Sequence, residues 1–152
     1  MQPTWQSIIL LSAILNKKNK EESMVNLSFG CTINHLESDI AEVIVDCGVE
    51  LSLEMVEELD NYLSHFYSGN FALLVNKKNK YTYTYEAQLC LASLEHQRAL
   101  AILYHDLQNE HIPPLLSQRI TLDAINIKIF PATTLGMQSA INWLKEILSK
   151  TA

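Results

Sequence analysis

From residue 41 to near the C-terminus, short apolar runs with strand character take turns with longer amphipathic runs with helix character. The strand candidates are residues 41–46, 71–75, 98–104 and 125–130, each rich in the branched and aromatic side chains that fit a pleated, half-buried surface. Four such runs separated by helix-length segments are the pattern of βαβ units around a largely parallel sheet. Ahead of them, residues 24–29 and 31–36 read as a hairpin broken near Gly30, so that 41–46 becomes a third strand after a polar turn at 37–39. The expected fold is α/β: a single small mixed sheet, largely parallel, flanked by helices in the order βββαβαβαβα.

The first helix is expected to start at Ser52, whose hydroxyl can accept a free N–H of the first turn, with Glu54 placed to meet the positive end of the helix dipole. Met55, Val56, Leu59, Leu63 and Phe66 follow the 3.6-residue period of a buried stripe, and Gly69 supplies a stop. Glu54, Glu57, Glu58 and Asp60 form the opposite, acidic face. The ambiguous segment is Asn-Lys-Lys-Asn-Lys at 76–80 followed by Tyr-Thr-Tyr-Thr-Tyr at 81–85. Alternating Tyr and Thr suit a strand that would form a hairpin with 71–75. The other reading has Thr82 or Thr84 capping a helix through Glu86, Ala87, Leu89, Leu91, Ala92 and Leu94, and a helix from about Thr84 is preferred. Beyond 98–104, Pro113 and Pro114 precede a crossover at 115–122. The last helix begins near Thr133 or Thr134 and buries Met137, Ala140, Ile141, Leu144 and Leu148, with Trp143 at its flank.

A chain of 152 residues fits one domain that buries roughly 70% of the surface its unfolded form exposes. A hydrophobic fraction of 48%, with only four Gly and four Pro, argues for an ordered globule with short connections. Residues 1–23 are expected to be an extension ahead of a domain at 24–152, with Met24 a second start candidate. The apolar stretch 7–15 has no Lys or Arg before it and Lys17, Lys18 and Lys20 after it, which does not suit a signal peptide, and nine residues are too few to span a bilayer. The formal charge of −6 opposes nonspecific binding to nucleic acid or anionic membrane. Cys31, Cys47 and Cys90 are widely spaced, so they suggest neither a disulfide framework nor a zinc knuckle, and reduced thiols in a cytoplasmic protein are expected.

The chemistry-bearing residues form no recognised constellation. His35, His65, His96, His105 and His111 include no pair at helix-face spacing, so no metal site is expected. Gly30, Gly48, Gly69 and Gly136 are isolated, whereas a pyrophosphate cradle needs clustered glycines, so no dinucleotide cofactor is expected. His105 and Asp106 follow a strand at its C-terminal end, the edge where ligands bind in open α/β sheets. A hydrolase built on them would need a Ser or Cys within reach of His105. Lys77, Lys78 and Lys80 beside Tyr81, Tyr83 and Tyr85 are the one basic and aromatic combination. On an acidic chain such lysines suit an acidic protein partner better than RNA.

Three strands, a helix and then strand-helix repeats, closing on the Ala140-Ile141-Asn142-Trp143-Leu144 sequence, resemble the SpoIIAA-like, STAS-type domains. The resemblance covers residues 24–150 and is strongest at 71–88 and at 140–144. It implies a small mixed sheet flanked by helices and a noncatalytic regulatory or protein-binding role, with no cofactor. Anti-sigma-factor antagonists of this fold carry an Asp-Ser-x-Gly phosphoacceptor at the turn after a central strand; the matching turn here, 76–85, lacks it. Phosphoswitching is therefore not carried over, and capping is the expected job of Thr82 or Thr84. The expected function is that of a cytoplasmic interaction module whose partner is another protein or a second copy in a homodimer. Its contact surface is the loop and helix start made by Asn76, Lys77, Lys78, Lys80, Tyr81, Thr82, Tyr83 and Thr84, because loops over a rigid sheet are where recognition concentrates. The alternatives are a module that binds a small apolar, lipid-like ligand under the 115–122 crossover, and a hydrolase.

Overall fold

A computed structural model describes residues 24–90, 94–105 and 126–150. In chain order the elements are β1 (Met24–Leu27), β2 (Cys31–Glu37), β3 (Ile40–Val45), β4 (Glu50–Leu51), α1 (Leu53–Phe66), β5 (Phe71–Lys77), β6 (Thr82–Tyr83), α2 (Tyr85–Cys90), β7 (Gln97–Tyr104), β8 (Ile127–Pro131) and α3 (Thr134–Lys150). The main sheet has six strands in the order β1-β2-β3-β5-β7-β8. Its first three strands pair antiparallel and the rest join β3 in parallel. The mixed, largely parallel α/β sheet expected from the alternation is therefore present. The helix expected in the last crossover, and residues 1–23, lie outside the described residues.

The meander depends on local chemistry. Gly30 turns β1 into β2 with φ of +90°, and a Cβ there would lie 3.1 Å from the Asp46 carboxylate, so glycine alone fits without strain. The Asp46 N–H then donates to the Gly30 carbonyl at 2.9 Å, tying the turn to the end of β3. In the same region Ser28 donates from its hydroxyl to Glu58 at 2.9 Å, which joins the turn to α1.

Ser52 caps α1 as expected, its hydroxyl accepting the Met55 N–H at 3.4 Å. Val56, Leu59 and Leu63 are buried from this helix. Phe66 is not: it is 51% exposed and its ring stacks on His35, with centroids 3.6 Å apart. Nor does Gly69 stop the helix. The left-handed glycines are Gly30 and Gly48, and α1 closes at Tyr67, extended at φ −98° and ψ 128°, whose N–H reaches the Leu63 carbonyl at 2.8 Å. The physical reason is burial: the Tyr67 ring lies in the core against Phe71, centroids 5.4 Å apart, and this draws the chain off the helical path.

The Tyr-Thr alternation makes a strand and a helix cap in succession. Thr82 and Tyr83 pair in parallel with Glu50 and Leu51, so β6 forms a separate two-stranded sheet with β4 and no hairpin with β5. Thr84 then accepts the Ala87 N–H at 3.2 Å and caps α2. Leu94 lies outside that helix, in a turn where its carbonyl receives the Gln97 N–H at 3.1 Å.

Successive side chains of a strand point to opposite faces, and here both faces are apolar. One carries Ile33, Val43, Leu73, Val75, Leu100 and Ile102 against Val56, Leu59 and Leu63 of α1 and Ala87 of α2. The other carries Ile40, Ala72, Leu74, Ala101 and Leu103 against Ala140, Leu144 and Leu148 of α3. The small residues Ala72, Ala99 and Ala101 on that second face let α3 sit close to the sheet. A sheet between two helical layers needs strands with continuous apolar runs, as β5 has from Phe71 to Val75. Among the described residues, no helix is long and apolar enough to cross a membrane.

Candidate functional site

The parallel strands β5, β7 and β8 end on one rim, where an open α/β sheet binds its ligands. The segment 76–84 lies along it. Asn79 donates to the Val45 carbonyl at 3.0 Å, the Lys80 carbonyl receives the Gly48 N–H at 2.8 Å, and Thr82 and Thr84 donate backbone N–H to Val49 and Leu51 at 3.0 and 2.9 Å. Tyr81 and Tyr83 turn inward, pack on the core and share a hydroxyl bond of 3.1 Å. Burial, with the nearby Tyr83 hydroxyl, pushes the Tyr81 phenol well above its ordinary range, so it stays neutral. Lys77 Nζ lies 4.9, 5.4 and 5.6 Å from the ring centroids of Tyr81, Tyr83 and Tyr104, a cation–π arrangement. Of the residues expected to form a contact surface, Lys78, Lys80 and Thr82 are exposed, while Asn76, Lys77, Tyr81, Tyr83 and Thr84 are half-buried.

Asn76 belongs to a second feature on the α3 side of the same rim. A row of polar side chains crosses the sheet there. Asn34 Nδ2 donates to Glu42 Oε1 at 2.9 Å, Asn76 Nδ2 donates to Glu42 Oε2 at 3.1 Å, and His105 Nε2 lies 2.7 Å from Asn76 Oδ1. Glu42 is only 7% exposed in the middle of an otherwise apolar strand. A buried carboxylate needs partners, and the two asparagine amides supply them. His105 opens on a cleft of about 230 Å³ between the end of β7 and the start of α3, where Asn76, Thr133 and Thr134 are its polar neighbours. The sequence carried one signal of this row, a glutamate inside the run Ile-Ala-Glu-Val-Ile-Val at 40–45. Asp106 and His111 lie outside the described residues.

The other histidines stand apart. His35 has Nδ1 and Nε2 each 2.7 Å from a tyrosine hydroxyl, those of Tyr67 and Tyr62, and burial lowers its pKa. His65 donates from Nδ1 to the Asn61 carbonyl at 2.7 Å. Among the described residues, no group of three or more His, Cys, Asp or Glu side chains could hold a metal ion. Cys31 is buried, Cys47 exposed and Cys90 half-buried, and none of the three is in a disulfide. Between the sheet and α1, an apolar cavity edged by Phe29, Leu59 and Tyr81 has a volume of about 20 Å³. That is room for about one water, far less than a lipid tail needs. The crossover at 115–122, where an apolar pocket was expected, lies outside the described residues.

No family model, curated protein or solved structure matches this chain.

Proposed function

We propose that the chain is a noncatalytic, cytoplasmic STAS-like module that works by binding another protein, or a second copy of itself, through the segment 76–84. One observation carries this reading. The segment is tied to the rim of the sheet by three backbone hydrogen bonds and the Asn79 side chain, so Lys78, Lys80 and Thr82 are held outward on a rigid base. A contact surface ordered before binding loses less conformational freedom on association than a loose loop does. Lys77 is spent on the tyrosine rings, which leaves Lys78 and Lys80 as the exposed positive charges of the segment. On a chain of formal charge −6, an isolated basic spot steers an acidic surface of a partner toward one place.

The test is a comparison of baits in lysate of the native host. The full chain should retain a stoichiometric protein or form a dimer, the double variant Lys78→Glu, Lys80→Glu should lose it, and Lys150→Glu at the far end of α3 should keep it. An assembly that survives the double reversal with an unchanged melting temperature would overturn this surface. A full chain that stays monomeric and captures nothing would overturn the function.

A further inference from the structure

The polar row fixes the position of a proton. An ionised carboxylate only accepts hydrogen bonds, and both oxygens of Glu42 face asparagine nitrogens, at 2.9 Å from Asn34 and 3.1 Å from Asn76. With its nitrogen committed to Glu42, Asn76 turns its oxygen to His105. An amide oxygen also only accepts, so the ring nitrogen 2.7 Å away, Nε2, carries the hydrogen. A neutral imidazole so held has its lone pair on Nδ1. Glu42 on β3 thus decides, through Asn76 on β5, which nitrogen of His105 beyond β7 is the acceptor.

His105 lines the cleft of about 230 Å³, and with Nε2 occupied its Nδ1 has no partner among the described residues. Leu103, Ala132 and Met137 give the cleft an apolar part, and its described lining includes no Asp, Glu, Lys or Arg. Thr133 Oγ1 already accepts the Gly136 N–H at 2.9 Å, which leaves its O–H to donate. One acceptor, one donor and an apolar floor match a secondary amide, whose N–H and C=O need one of each. The volume lies below the roughly 300–1,000 Å³ of drug-sized sites, which limits the ligand to a small one. We propose that this cleft binds a small neutral amide, with the ligand N–H on His105 Nδ1 and its C=O on Thr133, and that Glu42 and Asn76 are positioning residues for it. The proposal shares Asn76 with the segment 76–84 but does not rest on the protein-binding reading, since Lys78 and Lys80 take no part.

The test is nitrogen NMR on the full chain with ¹⁵N-histidine at mildly alkaline pH, with His105→Gln identifying the signal. His105 should be in the Nε2–H form. N-methylacetamide should shift its Nδ1 resonance, and N,N-dimethylacetamide, nearly the same shape without the N–H, should not. Glu42→Gln removes the acceptor-only group, so it should mix the two ring forms and weaken binding roughly fivefold, the worth of one hydrogen bond. An Nδ1–H form in the natural sequence, equal responses to both amides or a response to neither would each overturn the proposal. These outcomes are read on the unsubstituted protein and hold even if the glutamine variant fails to fold.

Discussion

Replacing Gly136 by alanine tests how closely α3 is docked. In a helix the change alone should stabilise by about 1 kcal/mol, because glycine loses more backbone freedom on folding. Here the sign reverses. A Cβ on Gly136 would fall inside the van der Waals envelope of the Pro131 carbonyl oxygen, 2.9 Å from its carbonyl carbon and 3.0 Å from Cγ of the same proline. The obstacle is mostly backbone, so no rotamer change relieves it, and the start of α3 must move away from the end of β8. Overpacking of this kind costs ~1–3 kcal/mol, and a backbone obstacle belongs at the upper end. About 3 kcal/mol of strain less about 1 kcal/mol of propensity leaves about 2 kcal/mol of destabilisation. For a chain of this size that lowers the melting temperature by roughly 4–8 °C. Calorimetry on the natural sequence, Gly136→Ala and Gly69→Ala would measure it. Gly69 has nothing within 4 Å of its would-be Cβ, so its variant should stay within about 0.5 kcal/mol of the parent. A Gly136→Ala protein that melts at or above the parent temperature would show that α3 does not press on Pro131.

Two further outcomes follow from groups whose ionisation the fold perturbs. Burial lowers the pKa of His35 from 6.5, so below that value the unfolded chain binds more protons than the folded one and stability falls as pH drops. The drop should flatten below the folded-state pKa, and His35→Gln, which cannot titrate, should melt with a shallower dependence between about pH 7.5 and about pH 5.5; identical slopes for both proteins would refute this. Burial, helped by the negative charges of Asp46 and Glu58, pushes the Cys31 thiol up to about 12. Since the thiolate is the reactive form, iodoacetamide should label exposed Cys47 in the native protein and reach Cys31 only in denaturant, as mass spectrometry of the peptides would record. Labelling of both at one rate would contradict the burial.

The strands that the chain announces are those buried on both faces. Residues 71–75 and 98–104 read as strands because every position but Arg98 is apolar or small, and β5 and β7 lie inside the sheet. Ser52 and Thr84 were legible as caps because a hydroxyl before an apolar periodic run has one local use, and that use depends on no distant residue. What required the tertiary structure was anything decided by a partner far along the chain. Tyr83 pairs with Leu51 across 32 positions, and no local pattern specifies that parallel bridge. The stop at Tyr67 in place of Gly69 was set by the burial of one ring. The loop at 76–84 could be placed on the rim from its neighbours, yet the inward turn of Tyr81 and Tyr83 depends on space in the core. Glu42 was visible as an anomaly, but its asparagine partners stand 8 and 34 residues away.

The strand order β1-β2-β3-β5-β7-β8 is also the order of synthesis. Each strand finds its neighbour already made, so the mean sequence separation of contacts is low for a parallel sheet, and folding should be faster than in sheets whose late strands insert between early ones. Growth from a single edge has a cost. Until the next strand arrives, the newest one shows unpaired N–H and C=O groups to other chains. One long wait falls on β7, which is nearly all buried in the finished sheet, because β8 begins only at Ile127; in the main sheet only β3, which waits for Phe71 of β5, waits longer, and its edge carries the charged Glu42. A nascent chain that has emerged to about residue 110 therefore carries the apolar edge of β7 uncovered, and this is a stage at which a chaperone or a slow ribosome would matter.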